Sequence, residues 1–177
     1  MRRNKINYYL DIAETVSKRG TCLRRNYGAI IVNNDEIIST GYVGAPRGRK
    51  NCSDLGVCMR TELNIPRGER YEICRSVHAE ANAIISAPRN EMLGATLYLC
   101  GKEADGSYVK NGSCCSMCKR MVINAGIKTV IIRDTIDEYY GFANDFPESK
   151  YLKEAKDIFQ QAEKAVKNKH LDLTEKD

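Results

Sequence analysis

The sequence CSMCKRMVINAGIKTVIIRD at residues 115–134 predicts a helix that leads directly into a buried strand. The helical part ends on Gly126, and glycine is common at a helix C-terminus. Residues 128–134, KTVIIRD, contain the consecutive apolar residues VII at 130–132, as in a strand covered on both faces. A helix followed by such a strand indicates the α/β class.

The segments that flank this stretch fit the same class. Helices are expected at residues 4–20 and from His78 to Pro88, and strands at residues 29–32, 36–40 and 95–100. Because strands alternate with helices, we expect a mixed sheet with helices on both faces. Residues 44–74 predict a long irregular connection with a helical turn near MRTEL, and residues 101–113 predict a polar hairpin.

Length and composition bound the class of protein. The 177 residues fit one domain over residues 1–146, with a charged helical extension over residues 147–177. Basic and acidic residues are interspersed and the net charge is +5, which predicts a mild attraction to phosphates rather than a nucleic-acid surface. No apolar run approaches the roughly 20 residues of a membrane span, and the first residues lack a signal-peptide core. We therefore expect a soluble, cytoplasmic protein.

Two cysteines at a predicted helix start could share one metal ion. Cys115 and Cys118 lie three positions apart and so on one helix face, and the positive helix end favours their thiolate forms. Eight cysteines in a chain from a reducing compartment suggest metal binding or catalysis more than disulfides. Taken alone, the pair is equally consistent with zinc, a redox dithiol or neither.

His78 and Glu80 extend this pair to a candidate catalytic centre. Taken alone, they would indicate only a capped helix with an acidic first turn. Together with Cys115 and Cys118, His78 completes a three-ligand zinc set whose fourth position is open to water, as in catalytic sites. Glu80 could then take a proton from the bound water and pass it to the substrate.

The spacing matches the H-x-E and P-C-x-x-C pattern of zinc deaminases, with Cys114 at the position of the proline. Cys114 could replace Cys115 as a ligand, although a pair four residues apart would approach the metal at a different angle. The chain resembles the zinc-dependent cytidine deaminase superfamily, and the deoxycytidylate (dCMP) deaminases most closely. The resemblance rests on the order of TCLRRNYGAIIVNNDEIISTGYVGAPRG, HAEANAII, GATLYL and CSMCKRMVINAGIKTVI.

This resemblance implies a cytidine deaminase-like three-layer α/β/α sandwich with a mixed, mostly five-stranded sheet. It implies hydrolytic deamination of dCMP to dUMP and ammonia, which supplies dUMP for thymidylate synthesis. Glu80 would protonate N3 of cytosine and then the leaving amine. It further implies a homo-oligomer, often a hexamer, with dCTP as activator, dTTP as inhibitor and Mg²⁺ accompanying the nucleotide effector.

Two departures bear on the substrate. Val43 stands where the family commonly has an asparagine that can hydrogen-bond the sugar, and residues 101–113 are longer than the usual loop. Arg24, Arg25 and Arg89 are candidate phosphate ligands by position and charge, or else solvated surface arginines.

Cys52, Cys58 and Cys74 could bind a second, structural zinc in the irregular segment, because some dCMP deaminases have one there. The alternative is three buried or idle thiols. Cys22 and Cys100 are expected to be small buried hydrophobes.

Two other functions compete with dCMP deamination. The chain could deaminate another cytosine nucleotide or a base in RNA or DNA, which would require base flipping and a surface that follows the phosphates. It could instead be a non-catalytic zinc module that binds a nucleotide or a protein. Glu80 argues against a purely structural site, which has no use for that carboxylate.

Overall fold

Five strands form one mixed sheet at the centre of the computed structural model, which describes residues 2–142. The strands are β1 (Arg25–Asn33), β2 (Glu36–Tyr42), β3 (Thr96–Glu103), β4 (Thr129–Arg133) and β5 (Tyr139–Phe142). They lie in the order β2-β1-β3-β4-β5, with β3 and β4 parallel and the other neighbours antiparallel. The predicted mixed sheet of five strands is therefore confirmed.

Helices cover both faces of this sheet. The helices are α1 (Lys5–Ser17), α2 (Cys52–Leu55), α3 (Met59–Glu62), α4 (Ala79–Ile85), α5 (Arg89–Met92) and α6 (Ser116–Ala125), with a 3₁₀ turn at Tyr71–Ile73. Successive β1 side chains point to opposite faces, so Ile30 packs with α1 while Ala29 and Ile31 pack with α4 and α6. The three-layer arrangement is thus confirmed.

Helix α4 lies unusually close to the sheet at Gly41 of β2. A Cβ atom added to Gly41 would lie 2.3 Å from both the Ala79 carbonyl oxygen and the Ala83 backbone nitrogen. Ser39 Oγ donates a hydrogen bond to the Ala83 carbonyl at 2.8 Å, and Asn82 Nδ2 donates to the Tyr42 carbonyl at 2.7 Å. The missing side chain therefore lets the backbone of α4 rest on β2.

A buried arginine joins α1 to the end of β4. The Arg133 side chain is fully buried, and its Nη2 donates to Asp11 Oδ1 at 2.7 Å and to the Asn7 carbonyl at 3.0 Å. Its Nη1 donates to the Ile136 carbonyl at 2.7 Å. These bonds compensate for the burial of the charge.

The regular segments agree with prediction, as does the short helix α3, which lies at the helical turn expected near MRTEL. Helices α1, α4 and α6, the β1–β2 hairpin and strands β3 and β4 are all present. An antiparallel bridge between Lys102 and Tyr108 lies in the polar hairpin predicted for residues 101–113. Helices α2 and α5 and strand β5 were not predicted, because four residues are too few to show a periodicity. β1 also starts at Arg25 rather than Ala29, because β3 pairs with it that far.

The predicted boundary at residue 146 and the helical extension over 147–177 lie outside the described residues, so the two-part division stays a prediction. Among residues 2–142, every helix falls short of the length and apolar character that crossing a membrane requires.

Candidate active site

Three potential metal ligands converge at one end of the sheet. His78 Nδ1 lies 3.4 Å from Cys115 Sγ and 3.4 Å from Cys118 Sγ. Within residues 2–142, this is the one group of three His, Cys, Asp or Glu ligand atoms that all lie within 4.8 Å of one another. Tetrahedral zinc with ordinary bond lengths would separate such a nitrogen and sulfur by about 3.6 Å. The donor set and its spacing therefore fit zinc.

Two helix starts bring these ligands together. His78 is the N-cap residue of α4, and Cys115 is the N-cap residue of α6, where its Sγ accepts a hydrogen bond from the Cys118 backbone N–H at 3.4 Å. Both helices pack on the same face of the sheet and contact each other. The positive ends of both helices consequently favour negative charge at this site.

The two thiols shift each other's pKa in opposite directions. The hydrogen bond from Cys118, together with His78, lowers the pKa of Cys115 to about 4, whereas the same bond to Cys115 raises the pKa of Cys118. Burial lowers the pKa of His78, but Cys115 and Glu80 outweigh burial and raise it. A metal ion binds the deprotonated ligands, so zinc binding at this site should release protons.

Glu80 lies beside the ligands in the first turn of α4 and is only 4% exposed. Burial raises its pKa, and the nearby His78 opposes this change. A carboxyl group whose pKa is raised in this way can exchange protons closer to neutral pH than an exposed one.

Cys114 faces Glu80 rather than the ligand cluster. Its side chain is 1% exposed, and it is close enough to the Glu80 carboxylate for each group to shift the pKa of the other. Burial and Glu80 raise its pKa well above the ordinary thiol value, so this residue remains a thiol. Between the two alternatives left open by the sequence, the structure places Cys115, and not Cys114, with His78 and Cys118.

A cavity of about 360 Å³ opens in front of these groups. His78, Glu80 and Cys115 line one part of it. Its other lining residues include Arg24, Arg25, Tyr27, Val43, Arg60, Arg67, Tyr71, Ser113, Ser116 and Lys119. A cavity of this size can enclose a small molecule that carries both an amine and an anionic group.

The structure brings two of the three predicted arginines to the cavity. Arg24 Nη1 is buried and has no hydrogen-bond partner among residues 2–142, whereas Arg25 Nε donates to Glu103 Oε2 at 2.8 Å. Arg89 lies elsewhere, at the surface, where its Nε donates to the Asn124 carbonyl at 3.4 Å. Asn124 is near the C-terminal end of α6, about 13 Å along the helix from its metal-binding start. Arg89 is therefore misplaced as a phosphate ligand.

The irregular insertion supplies cavity residues that the sequence did not reveal. The Arg60 guanidinium lies 4.4 Å from the Tyr71 ring centre, and Tyr71 meets the His78 ring edge-on at 4.9 Å. Arg60 also donates to the Pro66 and Glu69 carbonyls, at 2.6 and 2.8 Å. The insertion is therefore folded against His78, although its sequence has no periodicity that would indicate this.

The predicted second metal set is less compact than the first. Within residues 2–142, Cys52, Cys58 and Cys74 do not bring three sulfurs within 4.8 Å of one another. The Cys52 sulfur lies 3.7 Å from Ser76 Oγ, and Cys58 is the N-cap residue of α3.

Of the two remaining thiols, only one behaves as expected. Cys100 is fully buried, which confirms its prediction as a small core residue. Cys22 is half-buried and lines the cavity together with Cys58 and Cys74, so its prediction as a buried hydrophobe is wrong. Burial raises the pKa of Cys74, and Cys22 and Cys52 are close enough to interact with it electrostatically.

Comparison with known proteins agrees with this geometry. The family described as the cytidine and deoxycytidylate deaminase zinc-binding region matches residues 3–133. The deoxycytidylate deaminase of Mycobacterium phage D29 is 33% identical over 128 residues, covering 70% of this chain and 90% of the relative. ComE operon protein 2 of Bacillus subtilis is 31% identical over 167 residues, covering 93% and 71%.

Some relatives are much longer than this chain. The deoxycytidylate deaminase of Schizosaccharomyces pombe is 30% identical over 126 residues, which are 71% of this chain but 35% of that protein. Among solved structures, the dCMP deaminase of cyanophage S-TIM5 superposes with a TM-score of 0.55 at 24% identity, covering 92% of this chain and 94% of that one. This superposition supports the fold.

Proposed function

Because the chain belongs to the cytidine and deoxycytidylate deaminase family, we propose that it is a zinc-dependent hydrolase that converts dCMP to dUMP and ammonia. The observation that carries this proposal is the close group of His78, Cys115 and Cys118 beside the buried carboxyl group of Glu80. A non-catalytic zinc module would gain nothing from burying that carboxyl group, since burial of an acid costs free energy.

In this proposal, His78, Cys115 and Cys118 hold the zinc ion, and Glu80 moves the protons. When bound, zinc supplies an activated water for attack on C4 of cytosine. Glu80 would accept one proton from that water and deliver it to N3; it would then take the remaining proton from the hydroxyl added at C4 and deliver it to the departing amine, so that ammonia leaves as the C4 carbonyl forms. The buried thiol of Cys114 lies close to the Glu80 carboxylate and keeps water away from that side of it.

A nucleotide rather than a nucleoside is proposed because the cavity carries cationic side chains. Within the described part of the chain, Arg24 Nη1 is buried and unpartnered, and Arg67 lies on the same lining, so both can bind a phosphate group. Arg60 is already held by carbonyl groups and an aromatic ring, which leaves it a structural role. Several relatives are named deoxycytidylate deaminases, which supports dCMP as the substrate.

Parallel assays of one preparation test the proposal. Zinc content is measured, and loss of cytosine absorbance is followed with dCMP, dCTP, deoxycytidine and a tRNA hairpin. We expect activity on dCMP. Activity on the tRNA hairpin alone would indicate that the chain deaminates a base in nucleic acid instead. No activity on any monomer would contradict the proposal.

The phosphate contact has its own test. Arg24→Gln should raise KM for dCMP and leave the weaker reaction with deoxycytidine unchanged, because only dCMP carries the phosphate. Arg89→Gln is the matched control and should change neither value. Equal losses on both substrates in Arg24→Gln would indicate a structural role for Arg24.

A second, structural zinc is proposed for the cysteines of the insertion, with Cys22 as the fourth ligand beside Cys52, Cys58 and Cys74. The support is the electrostatic proximity of Cys74 to Cys22 and Cys52, and the position of Cys22, Cys58 and Cys74 on one cavity lining. Metal binding would have to draw these sulfurs closer together. Two zinc ions per chain are expected, and Cys52→Ser should retain one. A single zinc ion in the wild-type chain would contradict this site.

The remaining properties rest on family resemblance alone and stay predictions. They are a homo-oligomer such as a hexamer, activation by dCTP, inhibition by dTTP and Mg²⁺ bound with the effector. Light scattering and assays with each nucleotide, with and without Mg²⁺, will test them. A cytosolic location is also retained as a prediction, since a reducing compartment keeps the proposed thiol ligands available.

A further inference from the structure

Tyr27 occupies a defined position on the cavity wall. It belongs to β1 and points to the face that carries α4 and α6, where its ring packs against the core. Gly101 of β3 is its partner in the sheet, and a Cβ atom added to Gly101 would lie 2.4 Å from Cε1 of the Tyr27 ring. The tyrosine ring therefore lies over Gly101, and the space it fills exists because that residue has no side chain.

The hydroxyl end of this ring is available to a ligand. Tyr27 lines the cavity, and within residues 2–142 its hydroxyl group has no hydrogen-bond partner. Within residues 2–142 the hydroxyl oxygen is unpartnered but not fully buried, so it is open to the cavity and can bond a substrate hydroxyl in place of water. Burial and the nearby Glu80 raise the pKa of Tyr27, which keeps the phenol neutral and able to donate.

Charged groups of both kinds lie near Tyr27 in the cavity. Glu80, Arg67 and Arg25 line the same cavity and are close enough to Tyr27 to interact with it electrostatically. A nucleotide with its reacting amine at Glu80 and its phosphate at the arginines places its sugar between these groups. The phenol therefore faces the sugar portion of the substrate.

Val43, the neighbour of Tyr27, cannot itself hydrogen-bond the sugar, which makes a contact from the Tyr27 hydroxyl more important. It lies next to Tyr27, since the Val43 backbone N–H donates to the Tyr27 carbonyl at 3.1 Å, and it also lines the cavity. Its side chain carries only methyl groups and cannot hydrogen-bond a hydroxyl. Beside Val43, the Tyr27 hydroxyl is a polar group that can contact a sugar.

We infer that Tyr27 is a specificity-determining residue whose hydroxyl hydrogen-bonds the 3′-hydroxyl of the deoxyribose. This inference rests on the proposed function and assigns one substrate group to one side chain. Gly101 acts as a positioning residue, because it sets where the Tyr27 ring lies.

The test combines a change in the protein with a change in the substrate. Wild type and Tyr27→Phe are assayed with dCMP and with 2′,3′-dideoxycytidine monophosphate, which lacks the 3′-hydroxyl. Tyr27→Phe should lower kcat/KM for dCMP by about 3- to 10-fold, the effect of one neutral hydrogen bond, and leave the value for the dideoxy substrate unchanged. Tyr8→Phe, at an exposed tyrosine of α1, is the matched control and should change neither value.

A second variant tests the position of the ring. Gly101→Ala displaces the phenol and should reduce discrimination between the two substrates in the same direction as Tyr27→Phe. Equal losses on both substrates in Tyr27→Phe, or no loss on dCMP, would overturn the assignment while the deaminase function stands. A wild-type chain that is inactive on both nucleotides would overturn the function and the assignment together.

Discussion

Replacement of Gly41 in β2 by alanine should impair catalysis, because the added Cβ would displace helix α4. The new Cβ would lie 2.3 Å from the Ala79 carbonyl oxygen and the Ala83 backbone nitrogen, whereas ordinary contacts begin at 3.4 Å. Both obstacles are backbone atoms of α4, so no side-chain rotation can relieve the contact. Helix α4 must therefore move by about 1 Å away from β2, the difference between those distances.

This movement would reach the reacting groups directly. Ala79 lies between His78 and Glu80 in the chain, whereas Cys115 and Cys118 belong to the start of another helix. The proposed histidine ligand and the proton carrier would shift relative to the two sulfurs. A misplacement of about 1 Å can reduce a catalytic rate by about 10²-fold, and overpacking of this kind costs about 1–3 kcal/mol of stability.

Gly28→Ala provides the matched control for Gly41→Ala. Its added Cβ would lie 2.2 Å from the Ala13 carbonyl oxygen, which belongs to α1 on the opposite face of the sheet. Urea unfolding, zinc content and kcat with dCMP are measured for both variants. Similar losses of stability are expected, but only Gly41→Ala should lose about 10²-fold in kcat. Wild-type kcat in Gly41→Ala, or equal kcat losses in both variants, would refute the reasoning.

Three further predictions concern the proposed metal, the proton carrier and the acid stability. Glu80→Gln should keep the wild-type zinc content but lose at least about 10²–10⁴-fold in rate, and a near-wild-type rate would contradict the mechanism. Cys118→Ser should lose one zinc ion per chain and its activity, measured by metal analysis, whereas Cys100→Ala in the core should retain both. Glu14 accepts hydrogen bonds from Tyr108 and Lys102, which outweigh burial and lower its pKa below 4.5. The ionised Glu14 therefore stabilises the fold above pH 4.5, and this contribution is lost as the pH falls through its lowered pKa. Glu14→Gln should lower the unfolding free energy at neutral pH by about 1.5–3 kcal/mol, and the difference from wild type should shrink in acid. A difference that is independent of pH in urea unfolding would contradict this assignment.

The parts of the fold that could be predicted are those with a local signal. Helices α1, α4 and α6 show helical periodicity, and the β1–β2 hairpin shows an Asn-Asn-Asp turn. The metal cluster could also be predicted, because His78 and Cys115 stand where helices begin. Helix starts on one face of a sheet are brought together by the topology.

The rest depends on contacts between distant segments. Tyr71 reaches His78 only because the irregular insertion folds back over the cavity, and no spacing in residues 44–74 indicates that. Arg89 is the opposite case: it is close to His78 in the sequence but does not line the cavity with it. The α4 helix and the turn after it carry Arg89 away from the cavity, to Asn124 near the C-terminal end of α6.

The bond between Arg133 and Asp11 constrains the order of events during synthesis. The two residues are 122 positions apart, so the first helix leaves the ribosome long before its arginine partner in the fourth strand. Arg133 in turn cannot be buried without α1, because an unpaired charge in the core is costly. The contact therefore closes a loop that spans most of the described residues, which makes it a long-range, slowly formed interaction. A nascent chain that stops before the fourth strand lacks this link, so final docking of its N-terminal helix awaits nearly the whole described domain.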